Sequence, residues 1–205
     1  TAAPNVIFTS PANAATGVAI NQKIAATFSE GMNPSSLDAA FTVTGPGATS
    51  VTGTVAYDVP SNIATFTPAA NLATNTAVTA TLTTGARDLD GNGLASNFTW
   101  SFTTGATADT TAPTVVSTNP ADTATGVPIN KKVTATFSEA MDSSTISAAS
   151  LTMVGPGATP VSGNVTYAAV GTTATFTPVS NFAANTAYTA TITTAVRDLA
   201  SNALA

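Results

Sequence analysis

Residues 10–32 read SPANAATGVAINQKIAATFSEGM, and residues 119–141 read NPADTATGVPINKKVTATFSEAM. Pro11 answers Pro120 at an offset of 109; further along, GPGAT at 45–49 returns at 155–159 and ATFTP at 64–68 returns at 174–178, each at an offset of 110. Self-similarity at a fixed period marks a repeated structural unit, and the change of offset means that one residue is inserted between these landmarks. The 205 residues then divide into a unit at 1–104, a polar Thr/Ala/Gly linker at 105–112 and a second unit at 113–205. Each unit has about 100 residues, enough to bury a core of its own.

Within the repeat the hydrophobic period is two, which is the period of a strand. In KIAATFS, Ile24, Ala26 and Phe28 share one face, and Lys23, Ala25, Thr27 and Ser29 share the other. VTGTVAY groups Val51, Val55 and Tyr57; AVTATLT groups Val78, Ala80 and Leu82; FTWSF groups Phe98, Trp100 and Phe102. With NVIFT, FTVT and ATFT these make about seven short strands separated by Gly, Pro and Asn turns, the count and spacing of an immunoglobulin-like sandwich. The fold class is therefore all-β: two tandem immunoglobulin-like β-sandwiches of about seven strands each. Only NPSSLDAA and its counterpart DSSTISAAS read as helical turns.

Composition narrows the function classes. Charged residues make up 7% of the chain against 43% hydrophobic, with a formal net charge of -5, so nothing attracts nucleic acid or an anionic membrane surface. The chain has neither Cys nor His. That removes the usual zinc sites, thiol nucleophiles and His-dependent triads. Thr, Asn, Ser or Gly interrupts every apolar run, so none reaches the roughly 18 residues of a spanning helix. The opening TAAPNVIFTSP carries no basic start or apolar signal core, so if the protein is exported the signal was removed or lies upstream. Because TTAP at 110–113 resembles that opening, the expectation is two beads of a longer string.

Among polar motifs, DLDGNG at 88–93 matches the first half of a calcium loop, with oxygens offered by Asp88, Asp90 and Asn92 at alternate positions and Gly93 at the turn. The twelfth position is Thr99 rather than Glu, and the second copy has Ala200 in place of Asp90. The competing reading is a β-turn whose Asp and Asn bond their own backbone. No cofactor is expected, calcium being the one metal that the motif admits.

Charges that recur in both copies are Lys23 with Lys132, Glu30 with Glu139, Arg87 with Arg197, and Asp88 with Asp198. They read as a structural clamp between the FSE and RDL turns in preference to a ligand cluster, and Trp100 reads as a core anchor. Alternating Thr in TATLTT and TATITT has the spacing that ice-binding surfaces use, but a twisted sandwich is a poor flat array. Two carboxylates of a repeated framework, with no aromatic cleft, make an enzyme the least favoured class.

The opening quoted above, together with FTPAANL at 66–72, RDLDGNG at 87–93 and TWSFTT at 99–104, resembles the bacterial Ig-like domain of the S-layer and adhesin type, the family called Ig-like domain 5. The resemblance covers the whole chain, once in full and once without its end. It departs in the second copy, which has DLASN for DL.GN and no TWSFTT. What the resemblance implies is a spacer outside the cell: a tandem module of a surface protein, adhesin, S-layer or ice-binding protein. Its partners would be neighbouring Ig-like repeats and a separate recognition domain. Two alternatives stand beside it, an adhesive or calcium-dependent ligand-binding module and a self-assembling subunit completed by strand donation.

The last of these arises from NFTWSF at 97–102. Burying its three large side chains is worth roughly 1.5–3 kcal/mol each, against a domain stability of only about 5–15 kcal/mol. The second unit is therefore expected not to fold alone on residues 113–205. Either a continuing chain supplies the strand, or a donor does, or six strands suffice.

Overall fold

The structure is a computed structural model describing residues 2–205. The chain divides into two compact units, Thr1–Thr110 and Thr111–Ala205. The first has seven strands: β1 Val6–Ser10, β2 Ile24–Phe28, β3 Phe41–Thr44, β4 Gly53–Asp58, β5 Ile63–Pro68, β6 Ala77–Leu82 and β7 Phe98–Thr103. They form two antiparallel sheets, ordered β1-β2-β5-β4 and β3-β6-β7. This four-plus-three partition, with sequence-adjacent strands divided between sheets, is the immunoglobulin constant-type arrangement.

The faces expected from alternation form the core. Ile24, Ala26 and Phe28 are at most 1% exposed, and Val78, Ala80 and Leu82 at most 2%. Trp100 and Phe102 are buried, and Phe41 connects the two sheets, its ring centroid 5.8 Å from those of both Trp100 and Phe66. Val51, Val55, Tyr57 and Phe98 pack on this cluster half-buried. Between Val51 and Val55, Gly53 faces Phe66 so closely that a Cβ would come within 2.5 Å of its Cζ; a side chain there would displace the ring. The opposite face of β2 is not wholly wet, since Ala25 is buried as well, as is Thr65 beside it on β5. Both lie on inner strands, where neighbours on both sides cover a small side chain.

One helix, α1 at Pro34–Ala40, bridges the sheets. Asn33 caps it, its side chain accepting from Ser35 N at 3.1 Å, and Pro34 occupies the first turn, where a missing N–H costs nothing. Leu37 and Ala40 are its buried residues.

The second unit repeats the first four-stranded sheet as β11-β12-β9-β8, from β8 Val115–Asn119, β9 Val133–Phe137, β11 Gly163–Ala168 and β12 Thr173–Pro178. Its other sheet pairs β10 Leu151–Val154 with β13 Thr189–Ile192. In place of α1 there is a single 3-10 turn at Ser143–Thr145, capped by Asp142. The inserted residue explains this: it falls in the stretch between Ile146 and Leu151, where Ser150 Oγ donates to Thr145 O at 2.7 Å and accepts from Ser147 N. β-branched Thr145 and Ile146, where the first unit has Ser36 and Leu37, also weaken the helix.

Residues 105–109 are bonded into the first unit. Ile20 N donates to Thr107 O, and the Asn21 side chain exchanges two hydrogen bonds of 2.9 Å with the backbone of Asp109. In the second unit Ala205 N donates to Pro113 O. No helix among the described residues is long and apolar enough to cross a membrane.

Candidate functional site

The repeated polar residues meet at the turn after β6. Arg87 and Gly93 face each other across an antiparallel bridge, Asp88 N bonds Asn92 O at 2.9 Å, and Gly91 takes the top with φ +91. Asp88 points inward and is 2% exposed. Its Oδ1 accepts from Asp90 N and Asn92 N, each at 2.8 Å, and its Oδ2 accepts from Asn92 Nδ2 at 2.7 Å. The Asn92 side chain and then these backbone N–H groups outweigh desolvation and hold the Asp88 carboxyl below its ordinary value.

This bears on the expected calcium ligands. Both Asp88 oxygens face protein donors, Asn92 turns its amide nitrogen toward Asp88, and Asp90 is exposed. A cation at Asp88 would have to displace three N–H groups. The second unit builds the same turn on Asp198: Ala200 N and Asn202 N donate to Oδ1 at 2.8 Å and Asn202 Nδ2 to Oδ2 at 2.8 Å. Loss of the Asp90 carboxylate to Ala200 therefore leaves the turn intact, because position 90 contributes its backbone N–H.

Arg87 does not reach Glu30. Its Nη1 donates to Gly91 O at 2.7 Å, and in the second unit Arg197 Nη1 donates to Ser201 O at 2.8 Å. Each arginine thus braces its own turn. Glu30 and Glu139 are half-buried, and Glu30 makes no hydrogen bond or ion pair among the described residues. What joins the two loops is backbone and one side-chain hydroxyl. Asn33 N donates to Arg87 O at 2.8 Å, Arg87 N donates to Ser36 Oγ at 3.0 Å, and Met32 bridges Asp88; Asp142, Thr145 and Met141 repeat the pattern with Arg197 and Asp198.

Two further groups were not read from the sequence. Tyr57 Oη accepts from Met32 N at 2.9 Å and donates to Asn62 Oδ1 at 3.2 Å; Tyr167 Oη accepts from Met141 N at 2.9 Å. Burial raises both phenols, that of Tyr167 to about 12. The signal was available, since a Met two residues after each FSE glutamate and a Tyr at a matching repeat position recur in both copies. Ser36 and Thr145, the hydroxyls of the loop clamp, carry the same signature.

Trp100 is a core residue as expected, 2% exposed, with its Nε1–H lacking a partner among the described residues. Chemically, then, Arg87, Asp88 and Asn92, with Arg197, Asp198 and Asn202 in the second unit, satisfy one another and the backbone: they fix loops. No nucleophile and base are brought together among them.

A family model described as bacterial Ig-like domain matches residues 1–104 and again 109–205. No curated protein matches the chain. Among solved structures, the chain is similar to CopC from Methylosinus trichosporium OB3b (14% identity, TM-score 0.43, covering 52% of this chain and 97% of that one) and to PcoC, a copper resistance protein from Escherichia coli (18%, 0.39, 49% and 98%). It is also similar to surface layer protein SbsC, domains 1–6 (14%, 0.42), which it matches over its whole length while spanning 34% of that chain.

Proposed function

Since the chain belongs to the bacterial Ig-like domain family, in two tandem copies, we propose that it is a non-catalytic spacer of a bacterial surface or secreted protein, holding another domain away from the cell. The observation that carries this reading is the fate of the repeated polar residues. Arg87, Asp88 and Asn92, and their counterparts in the second unit, spend their hydrogen bonds on loop geometry. A module whose recurrent chemistry is architectural has shape and length to offer. The net charge of -5 and the Thr-rich strand faces keep it in solution, and the scarcity of charged residues gives a polyionic partner little to bind.

The test inserts the 205-residue chain, singly and in tandem, between a cell-anchored base and a fluorescent reporter, and measures the reporter's height above the membrane. Height should rise with each added copy and be unaffected when exposed Lys132 and Asp90 are replaced by Ala. A height independent of copy number would overturn the spacer reading.

A further inference from the structure

In the first unit the segment that follows β1 and the segment that leaves the unit lie side by side. Residues 13–21 run parallel to residues 101–109, and Val18 and Thr104 form a parallel bridge. The rungs follow one another in the same order along both segments. Asn13 Oδ1 accepts from Ser101 N at 3.0 Å, Ala14 N donates to Ser101 O, Thr103 N to Ala15 O, Val18 N to Thr103 O, Gly105 N to Val18 O and Ile20 N to Thr107 O. The last rung is made by a side chain: Asn21 Nδ2 donates to Asp109 O and Asn21 Oδ1 accepts from Asp109 N, both at 2.9 Å.

The other edge of 101–109 is held as well. β7 pairs with β6. Beyond that pairing Thr104 N donates to Thr76 O, Asn75 N to Gly105 O, Thr76 N to Thr104 Oγ1 at 3.0 Å and Thr104 Oγ1 to Ala73 O at 2.6 Å. Thr104 is 2% exposed, so water does not compete for these bonds in the folded unit.

The parallel direction matters because a bead on a string is loaded through its chain. Tension draws 13–21 back toward residue 1 and 101–109 forward toward residue 110. Along a parallel ladder these pulls are opposed, so they shear all the rungs together; an antiparallel hairpin pulled at its open ends would lose its rungs one after another. Concerted loss of several hydrogen bonds is a higher barrier than sequential loss, and forced unfolding follows that barrier in place of the equilibrium stability. β1 lies upstream and pairs with β2 along one edge only. Its release does not free 13–21, which has rungs of its own.

We propose that this parallel ladder is a shear latch that makes the first unit resist tension along the chain, with Asn21 locking its exit. The latch rests on the spacer reading for its use and adds to it, since a spacer between a cell and a domain engaged elsewhere transmits pull as well as distance. As a device it is a property of the fold, so its test reads lifetime under force and is independent of reporter height.

The chain has no cysteine, so pairs of introduced cysteines set the pulling axis in the full 205-residue chain. Handles at Ala2→Cys and Thr110→Cys load the ladder in shear. Handles at Gln22→Cys and Thr110→Cys, beside the Asn21–Asp109 rung, peel it from one end. At one constant force the shear pair should hold about tenfold longer or more than the peeling pair before the loop 22–100 extends. Asn21→Ala should shorten the shear lifetime by about fivefold or more, because it deletes two loaded bonds. Gly91→Ser, which lowers stability at a turn outside the ladder, should leave that lifetime within about twofold of wild type. Equal lifetimes on the two axes, an Asn21→Ala chain as long-lived as wild type, or a Gly91→Ser chain shortened as much as Asn21→Ala would each overturn the latch. Failure of the latch with reporter height still rising per copy would remove the tension role alone; flat height with a long shear lifetime would remove the spacer and leave the latch standing.

Discussion

The hydroxyl of Tyr167 lies 2.9 Å from the backbone nitrogen of Met141 and accepts its hydrogen bond, as Tyr57 does for Met32 in the first unit. Burial pushes the Tyr167 phenol up to about 12, so the folded unit holds the proton more tightly than the unfolded chain, whose tyrosine titrates near its ordinary value of 10.0. The stabilisation is full below pH 10 and is lost as pH rises toward about 12. Tyr167→Phe should cost about 1–3 kcal/mol at neutral pH by leaving Met141 N unpaired. It should also remove part of the alkaline destabilisation between those limits, read as the melting temperature of the second unit against pH. Parallel profiles for wild type and variant would show that the phenol does not titrate with folding.

Gly91 and Ser201 occupy the same turn position, with φ +91 and +75. A Cβ at Gly91 meets nothing within 4 Å, so any cost of a side chain there is conformational. Residues other than Gly lose roughly 1–2 kcal/mol in the left-handed region. Ser201→Gly should therefore stabilise the second unit, and Gly91→Ser should destabilise the first, each by about 1 kcal/mol in denaturant melts. Effects of the same sign in both units would refute the backbone account.

Alternation made the core legible, because a strand buried on one face writes that face into every second residue, as in Ile24, Ala26 and Phe28. The repeat made the duplication legible. Ala25 and Thr65 were not, since coverage of small residues on inner strands depends on neighbours remote in sequence. Nor could spacing decide the partners of Asp88. An Asp-x-Asp-x-Asn series is compatible both with oxygens converging on a cation and with a carboxylate collecting backbone N–H groups, and the donors on Asp88, Asp90 N and Asn92 N at Oδ1 and Asn92 Nδ2 at Oδ2, distinguish them. The charges of Glu30 and Arg87 looked like a pair from their recurrence, but the arginine's nearer acceptor is the carbonyl of Gly91.

The donors around Asp88 carry a prediction in acid. Its ionised form is favoured by folding, so the contribution is present above the ordinary carboxylate range and is lost as pH falls below about 4. Asp88→Asn should lower the melting temperature of the first unit at pH 7, and the gap from wild type should narrow at pH 3. Millimolar calcium should leave the melt of the first unit unmoved at pH 7, because both Asp88 carboxylate oxygens are occupied by N–H donors. A calcium-dependent rise that Asp88→Asn abolishes would instead place a cation at the turn.

Trp100 separates the contribution of size from that of the indole nitrogen. Its ring is 2% exposed and tilted against Phe41 and Phe98 at 5.8 and 5.7 Å, while Nε1–H has no acceptor among the described residues. A buried donor without a partner contributes nothing to stability and carries its desolvation cost. Trp100→Phe should thus lose only the transfer and cavity terms of the smaller ring, about 1–2 kcal/mol. Trp100→Ala opens the space between the sheets and should cost about 3–5 kcal/mol, a large share of a domain's total of about 5–15 kcal/mol. Denaturant melts of the two variants decide the matter. If Phe costs as much as Ala, Nε1–H is bonded in solution and the anchor is polar as well as apolar.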